Sequence, residues 1–364
     1  MVPVTNLTTK RRLVRAAAGT AMLGLMLTGC ATNEAGDTPS PLSGTLDGAG
    51  SSAQAAAQEV WVAEFQSANS RVTINYDPTG SGAGREQFLS GGVDFAGSDS
   101  ALNDDELAGD FTGCAPGSRA LDLPMYVSPL VLIFNVEGLD TLRLDAATIA
   151  GIFSGTITTW NDPALVALNP DVTLPGADIS AVHRSDDSGT TKNFADYLHQ
   201  NVPEIWPEEP DDAFPYPGEG AQGNSGVVSA VTNGRNTIGY ADASRAGDLS
   251  VASLRVGDDF VDFSSEAAAA IIDASPVVER DNPNDLVIDV DRKTTAAGVY
   301  PLVLVSYLIA CEAYSDPADA ELVRAYLSYM ASAEGQRAAA EGAGSAPLSP
   351  EFSAQVLAAI ETIQ

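Results

Sequence analysis

The stretch Ile179–Gln200, ISAVHRSDDSGTTKNFADYLHQ, decides how this chain is read. ISAVHRS has the apolar content of a strand, and Phe194, Tyr197 and Leu198 fall at helical spacing after it. Between them lie His183-Arg184-Ser185-Asp186-Asp187-Ser188-Gly189-Thr190. This is a strand that runs through a polar, Gly-containing joint into a helix start. Arg184 offers a planar fork of donors. Ser188, Gly189 and Thr190 place hydroxyls and main-chain N–H groups at the positive end of a helix dipole. Together these parts suit a tetrahedral oxyanion.

Working outward, three similar joints appear upstream: Gly48–Ala53 (GAGSSA), Thr79–Gly84 (TGSGAG) and Phe95–Ser100 (FAGSDS). A single Ser/Gly turn is usually only a cap. Four in one chain are far more specific. The elements around them alternate. SSAQAAAQEVWVAEFQSAN, GREQFLSG and DAATIAGIFSG read as helices, and RVTINYD, VDFAGS and VSPLVLIFN as strands. GVVSAVTN and TIGYAD add a helix–strand step, and helices are expected over 317–332 and 350–363. Pro203–Gly220, with five prolines, is expected as a long surface loop. The pattern is α/β, in which ligands sit at the carboxyl ends of strands.

The bulk numbers narrow the partners. The chain has 364 residues, 45% hydrophobic, and a net charge of −31. Without residues 1–29, which carry four basic residues and no acid, 14 basic residues face 49 acidic ones, a net of −35. That excludes a nucleic-acid groove and a polybasic membrane patch. An anion site here must act through local donors, because the overall field opposes an anion. Residues 1–29 read as a targeting segment. Their apolar run AAAGTAMLGLMLTG is short for a membrane span and ends at Cys30. Leu27-Thr28-Gly29-Cys30 resembles the bacterial lipobox, which implies a lipidated Cys30. Residues 30–44 then form a flexible tether, with the fold starting near Thr45. Cys114 and Cys311 remain. An even pair outside the cytoplasm favours one disulfide over two buried thiols.

The motifs GAGSSAQ, YDPTGSGAG, VDFAGSDSAL, IFSGTITTWNDPALVALNP, HRSDDSGTT and TIGYAD resemble the PstS-type phosphate-binding proteins of bacterial phosphate ABC importers. The resemblance spans nearly all of residues 45–364. It implies a type II periplasmic-binding fold of two α/β lobes joined by a hinge. One lobe would hold 45–127 plus 300–364 and the other 128–299. By this resemblance, phosphate contacts fall on Ser52, Ala53, Ser81, Asp99, Arg184, Ser188, Gly189 and Thr190, with Asp186 orienting Arg184. The family often has Thr and Phe where this chain has Ser52 and Ala53, so the hydroxyl and the following N–H are kept. Asp99 only accepts hydrogen bonds when ionised, so it selects an ion that brings its own P–OH. The implied partners are phosphate and a membrane permease. The protein is expected to be a lipid-anchored, extracytoplasmic monomer, with no catalysis, cofactor or metal.

Three other readings compete. Ser188 with His183 or His199 invites a hydrolase, but no G-x-S-x-G elbow joins the strand to its helix. HExxH and Cys/His metal spacings are missing too. Sulfate, molybdate or a phosphonate would keep the binding class, and Asp99 weighs against the first two. An adhesive lipoprotein could keep the fold without transport.

Overall fold

The computed structural model describes residues 40–364. The expected signal peptide, Cys30 and residues 31–39 of the expected tether lie outside the described residues. The chain starts with β1 (Gly44–Gly50), α1 (Ala55–Ala68), β2 (Val72–Asp77), α2 (Ser81–Leu89), β3 (Phe95–Ser98) and the single turn α3 (Asp104–Leu107). Next come β4 (Ala120–Asn135), β5 (Arg143–Leu144), α4 (Ala146–Phe153) and α5 (Pro163–Leu168). Then follow β6 (Ser180–Arg184), α6 (Gly189–Asn201), β7 (Glu219–Ala221), α7 (Gly223–Asn233) and β8 (Thr237–Asp242). After β9 (Ser250–Val251), β10 (Ser253–Val256), β11 (Asp259–Val261) and α8 (Ser265–Ala274), the chain ends with β12 (Val303–Cys311), α9 (Pro317–Ala331), α10 (Ala333–Ala343) and α11 (Pro350–Ile360).

Nine strands form one mixed sheet in the order β2-β1-β3-β12-β4-β8-β6-β7, with β9 also on β4. β4 joins its two halves. Residues 120–129 pair with β12, and 130–135 pair with β8. Pro129 marks the change of partner, as a residue without an N–H suits a break in a ladder. The first half carries β1, β2 and β3 in parallel, and the second carries β6, β7 and β8 in parallel. A three-stranded sheet of β11, β10 and β5 lies apart. The apolar β4 and β12 are buried along almost their whole length and anchor the core.

Several expectations need correction. β1 is an element that the sequence does not announce, because GTLDGAG carries three glycines and an Asp; it forms because β2 and β3 pair with it on both sides. The fold also begins earlier than Thr45: Arg71 donates to the carbonyls of Ser40 and Pro41, which ties down the end of the expected tether. α1 starts at Ala55 rather than Ser51, because the Ser51 hydroxyl accepts from the N–H groups of Ala53 and Gln54 in a turn of its own. α2 starts at Ser81 rather than Gly84. Its N-cap, Gly80, has φ of 107°, which a side chain would strain. β4 is longer than the expected 127–135, and α10 was not read at all. The stretch 203–218 has no helix or strand, but it is more than a surface loop. Trp206 and Asp212 within it are buried.

Cys114 and Cys311 are bonded, with Cα atoms 5.5 Å apart. The bond closes a loop of 197 residues in sequence separation, tying the segment after α3 to the end of β12. Cross-links over such distances contribute roughly 2–5 kcal/mol.

Candidate ligand cleft

Five polar joints follow the carboxyl ends of parallel strands. β1 leads into Ser51 and Ser52, β2 into Ser81, and β3 into Asp99. β6 ends at Arg184 before Ser188, and β7 leads into Gly223 and Asn224. Within each half the parallel strands end on one side, and the antiparallel pairings of β12 and β4 between them turn the two sets of ends toward each other, so the joints meet.

Asp99 lies at the centre and is 3% exposed. Its Oδ1 accepts from the hydroxyls of Ser51 and Ser306, each at 2.5 Å. Its Oδ2 accepts from Thr190 at 2.8 Å, across from the second half of the sheet. Burial pushes the Asp99 carboxyl up. Hydrogen bonds from Ser306, Ser51 and Thr190 and the Arg184 charge oppose this, and burial wins. Asp99 does not cap α3; Asn103 does.

Arg184 ends β6 and is 2% exposed. Asp186 takes it through both carboxylate oxygens, at 2.8 Å from Nε and 2.5 Å from Nη2. This leaves Nη1, which donates to the Thr190 hydroxyl at 3.2 Å. The Arg184 N–H donates to the Tyr240 hydroxyl at 3.2 Å, and the Tyr240 ring stacks on Phe194. Both sides of the arginine are thus fixed by packed groups. Burial pushes Asp186 up, but the hydrogen bonds and charge of Arg184 and the Gly223 N–H outweigh it and hold the carboxyl below its usual range. Asp187 is exposed and makes no ion pair among the described residues; its carbonyl accepts from the Gly82 N–H at 3.1 Å.

Ser188 is the N-cap of α6, its hydroxyl accepting from the Thr191 N–H at 3.2 Å. The N–H groups of Gly189 and Thr190 therefore begin the helix with no intrahelical acceptor. Gly189 lies against the opposite joint. A Cβ there would sit 2.7 Å from the Asp99 carbonyl carbon and the Ser100 nitrogen. Ser81, in the first turn of α2, accepts the Asp99 N–H at 3.1 Å. The Ser52 hydroxyl accepts from the N–H and the side-chain amide of Asn224. The Ala53 N–H is engaged by Ser51 at 3.1 Å.

The eight expected ligand residues are all buried or, for the glycine, packed at the same joints. Sequence reasoning missed Ser51, Ser306, Asn224, Tyr240 and Asn193, whose side-chain amide donates to the Asp99 carbonyl at 2.6 Å. Asn224 opens α7 in Gln222-Gly223-Asn224-Ser225-Gly226, a fifth polar joint of the kind already singled out. Ser306 lies inside an apolar strand and gives no such signal. The histidines do not build a triad: His183 stacks on Phe214 with centroids 4.1 Å apart, and His199 faces Glu209 at 3.9 Å. Among the described residues, no helix is long and apolar enough to cross a membrane.

A family model described as a PBP superfamily domain matches residues 35–334. Phosphate-binding protein PstS 3 of Mycobacterium tuberculosis is 37% identical over 326 residues, covering 88% of this chain and 86% of that protein. PstS 2 of the same organism is 36% identical over 364 residues, covering 95% and 96%. Among solved structures, a periplasmic phosphate-binding protein (PfluDING) bound with phosphate matches with TM-score 0.68 at 22% identity, covering 86% of this chain and 93% of that one. The phosphate-binding protein from Stenotrophomonas maltophilia matches with TM-score 0.68 at 21% identity, covering 87% and 94%. At such identities the structures speak for the fold, and it is the mixed α/β fold expected from the sequence. By its family model and its similarity to PstS 3 and PstS 2 along most of its length, the chain belongs to the PBP superfamily and, within it, to the PstS-type phosphate-binding proteins.

Proposed function

We propose that this protein binds inorganic phosphate outside the cytoplasmic membrane and delivers it to an ABC-type importer. One observation carries the reading. A buried guanidinium, a helix start and a buried carboxylate meet in a single run of hydrogen bonds, Arg184 to Thr190 to Asp99. The guanidinium and the N–H groups of Gly189 and Thr190 suit the ionised oxygens of the ligand. Asp99 suits the oxygen that keeps its hydrogen. On binding, Oδ2 of Asp99 accepts a hydrogen bond from the P–OH, and the Thr190 hydroxyl turns to donate to the ion. Sulfate has no hydrogen to give at neutral pH, so it meets the carboxylate as a bare charge. A buried acceptor left unpaired in this way discriminates by about 10⁴ or more.

The site would close by a hinge between two lobes, residues 45–127 plus 300–364 and residues 128–299. The change of partner along β4 after Pro129 supports a division near that point. Ser52, Ala53, Ser81 and Asp99 then come from one lobe, and Arg184, Ser188, Gly189 and Thr190 from the other. Binding across the gap favours the closed form. That form is what the permease would recognise. Lipidation at Cys30 would keep a monomer at the membrane surface. No catalytic step belongs to this reading.

Calorimetry on the soluble chain with phosphate, arsenate and sulfate tests it. Phosphate and arsenate should bind comparably, since both are protonated tetrahedral anions at neutral pH, and sulfate far more weakly. Equal binding of sulfate, or no binding of phosphate, ends the reading.

A further inference from the structure

Arg85 on α2 lies next to the cleft but makes no hydrogen bond to any of the eight proposed ligand residues. It is 7% exposed. Three of its contacts stay in the first half of the molecule. Its Nε donates to Glu106 at 2.8 Å, and its Nη1 donates to the hydroxyls of Ser98 at 3.1 Å and Ser100 at 2.8 Å. The fourth crosses over: Nη2 donates to Asp212 Oδ2 at 2.5 Å. Asp212 is 9% exposed and belongs to the Pro-rich stretch after α6. The Ser100 hydroxyl reaches the same carboxylate, at 3.0 Å from Oδ1. The Asp212 carbonyl accepts the N–H of Ser188, the cap of α6, at 2.9 Å. The pair thus bridges the residue after Asp99 and the residue before Gly189.

We propose that Arg85 and Asp212 form a latch that sets the balance of open and closed cleft without touching the ion. The inference rests on the proposed phosphate reading and deepens it. A buried ion pair is costly to break when it leaves a charge buried and alone. Here the partners are asymmetric. Arg85 keeps Glu106 whatever Asp212 does, and Asp212 sits on a loop that returns to water when the halves part. The contact can therefore be made and broken repeatedly. Arg245 to Glu59, another pair between the two residue ranges, spans 3.7 Å with the Glu59 side chain 76% exposed, so solvent screens it. Because the latch favours the closed form itself, it strengthens every ion that the closed form holds by the same factor. Arg85 and Asp212 are positioning residues for affinity, while Asp99 governs choice.

The test compares wild type, Asp212→Asn, Arg85→Gln and the double variant. Calorimetry measures phosphate and arsenate, and paired spin labels, one on each half, report the separation without any ion. Asp212→Asn should weaken both ions about tenfold or more, by equal factors. Its ion-free separation should shift to longer distances. The double variant should lose little beyond either single one, since both remove the same contact. Affinity within twofold of wild type with unchanged separations, or single losses that add in full, overturns the latch. Unequal losses for the two ions also overturn it. If wild type binds no phosphate, the ligand reading fails, and the ion-free separations still judge the latch.

Discussion

Asp99 and Asp122 have the same side chain and nearly the same burial, 3% and 0% exposed, but their surroundings differ in kind. Asp99 receives hydroxyls, from Ser51, Ser306 and Thr190. Asp122 shares Arg280 with a second carboxylate, Asp285, and takes the Leu102 N–H at 3.2 Å. Burial pushes both carboxyls up. At Asp122 the neighbouring Asp285 adds to the rise, while Arg280 and the Leu102 N–H oppose it. Hydroxyls rotate, so the partners of Asp99 can be exchanged at little cost. A charged cluster has fixed needs, so Asp122 fastens the chain where it passes. Leu102 stands three residues after Asp99, and Arg280 also holds its carbonyl at 3.0 Å. On the proposed reading one carboxylate meets the ligand, and the other anchors the loop that presents it.

The strongest way to break this comparison is Asp99→Asn. An amide can donate to a fully ionised oxygen, so preference for phosphate over sulfate should fall by roughly 10³ or more in competitive calorimetry. An unchanged preference would remove the selecting role from Asp99. Arg184→Ala comes next. It deletes a buried charge-assisted donor and should weaken phosphate binding at least about a hundredfold. It also leaves Asp186 without its partner, so a fluorescence titration should be run beside a melting curve to separate the two effects. Gly189→Ala tests the close approach of the halves. Its methyl would meet the backbone of Asp99 and Ser100, and binding should weaken about tenfold while the melting temperature stays near wild type.

Asp122→Asn gives the smallest effect and sharpens the contrast through pH. The folded carboxyl is raised above its unfolded value, so the native state holds the proton more tightly. That contribution is complete below the unfolded pKa and is lost as pH rises through the folded one. The asparagine variant has no such loss. Its urea-unfolding stability relative to wild type should therefore improve by about 1 kcal/mol or more between pH 4.5 and pH 7.5. A flat difference would mean that Arg280 holds the Asp122 carboxylate charged throughout.

Much of the candidate site is legible because it is local. Ser52, Ser81, Asp99, Arg184, Ser188 and Thr190 each occupy a strand-to-helix joint, and such joints announce themselves by Gly, Ser and polar residues between apolar runs. β1 and Ser306 were illegible for the opposite reason. GTLDGAG becomes a strand only because β2 and β3 flank it, and Ser306 meets Asp99 only because β12 pairs with β3. Asp212 was hidden in the same way, as nothing in a Pro-rich stretch marks one acid for burial against Arg85.

By itself, the amino-acid order determined the alternation of strands and helices, the hydroxyl- and N–H-rich chemistry of the joints, and the family. Those properties live in spacings of a few residues, where periodicity and backbone preference act directly. Tertiary structure alone decided which hydroxyls surround Asp99, which acid meets Arg85, and that Cys114 and Cys311 bond. These contacts join residues about 48 to 207 positions apart, and only the packing of the whole sheet brings them within reach.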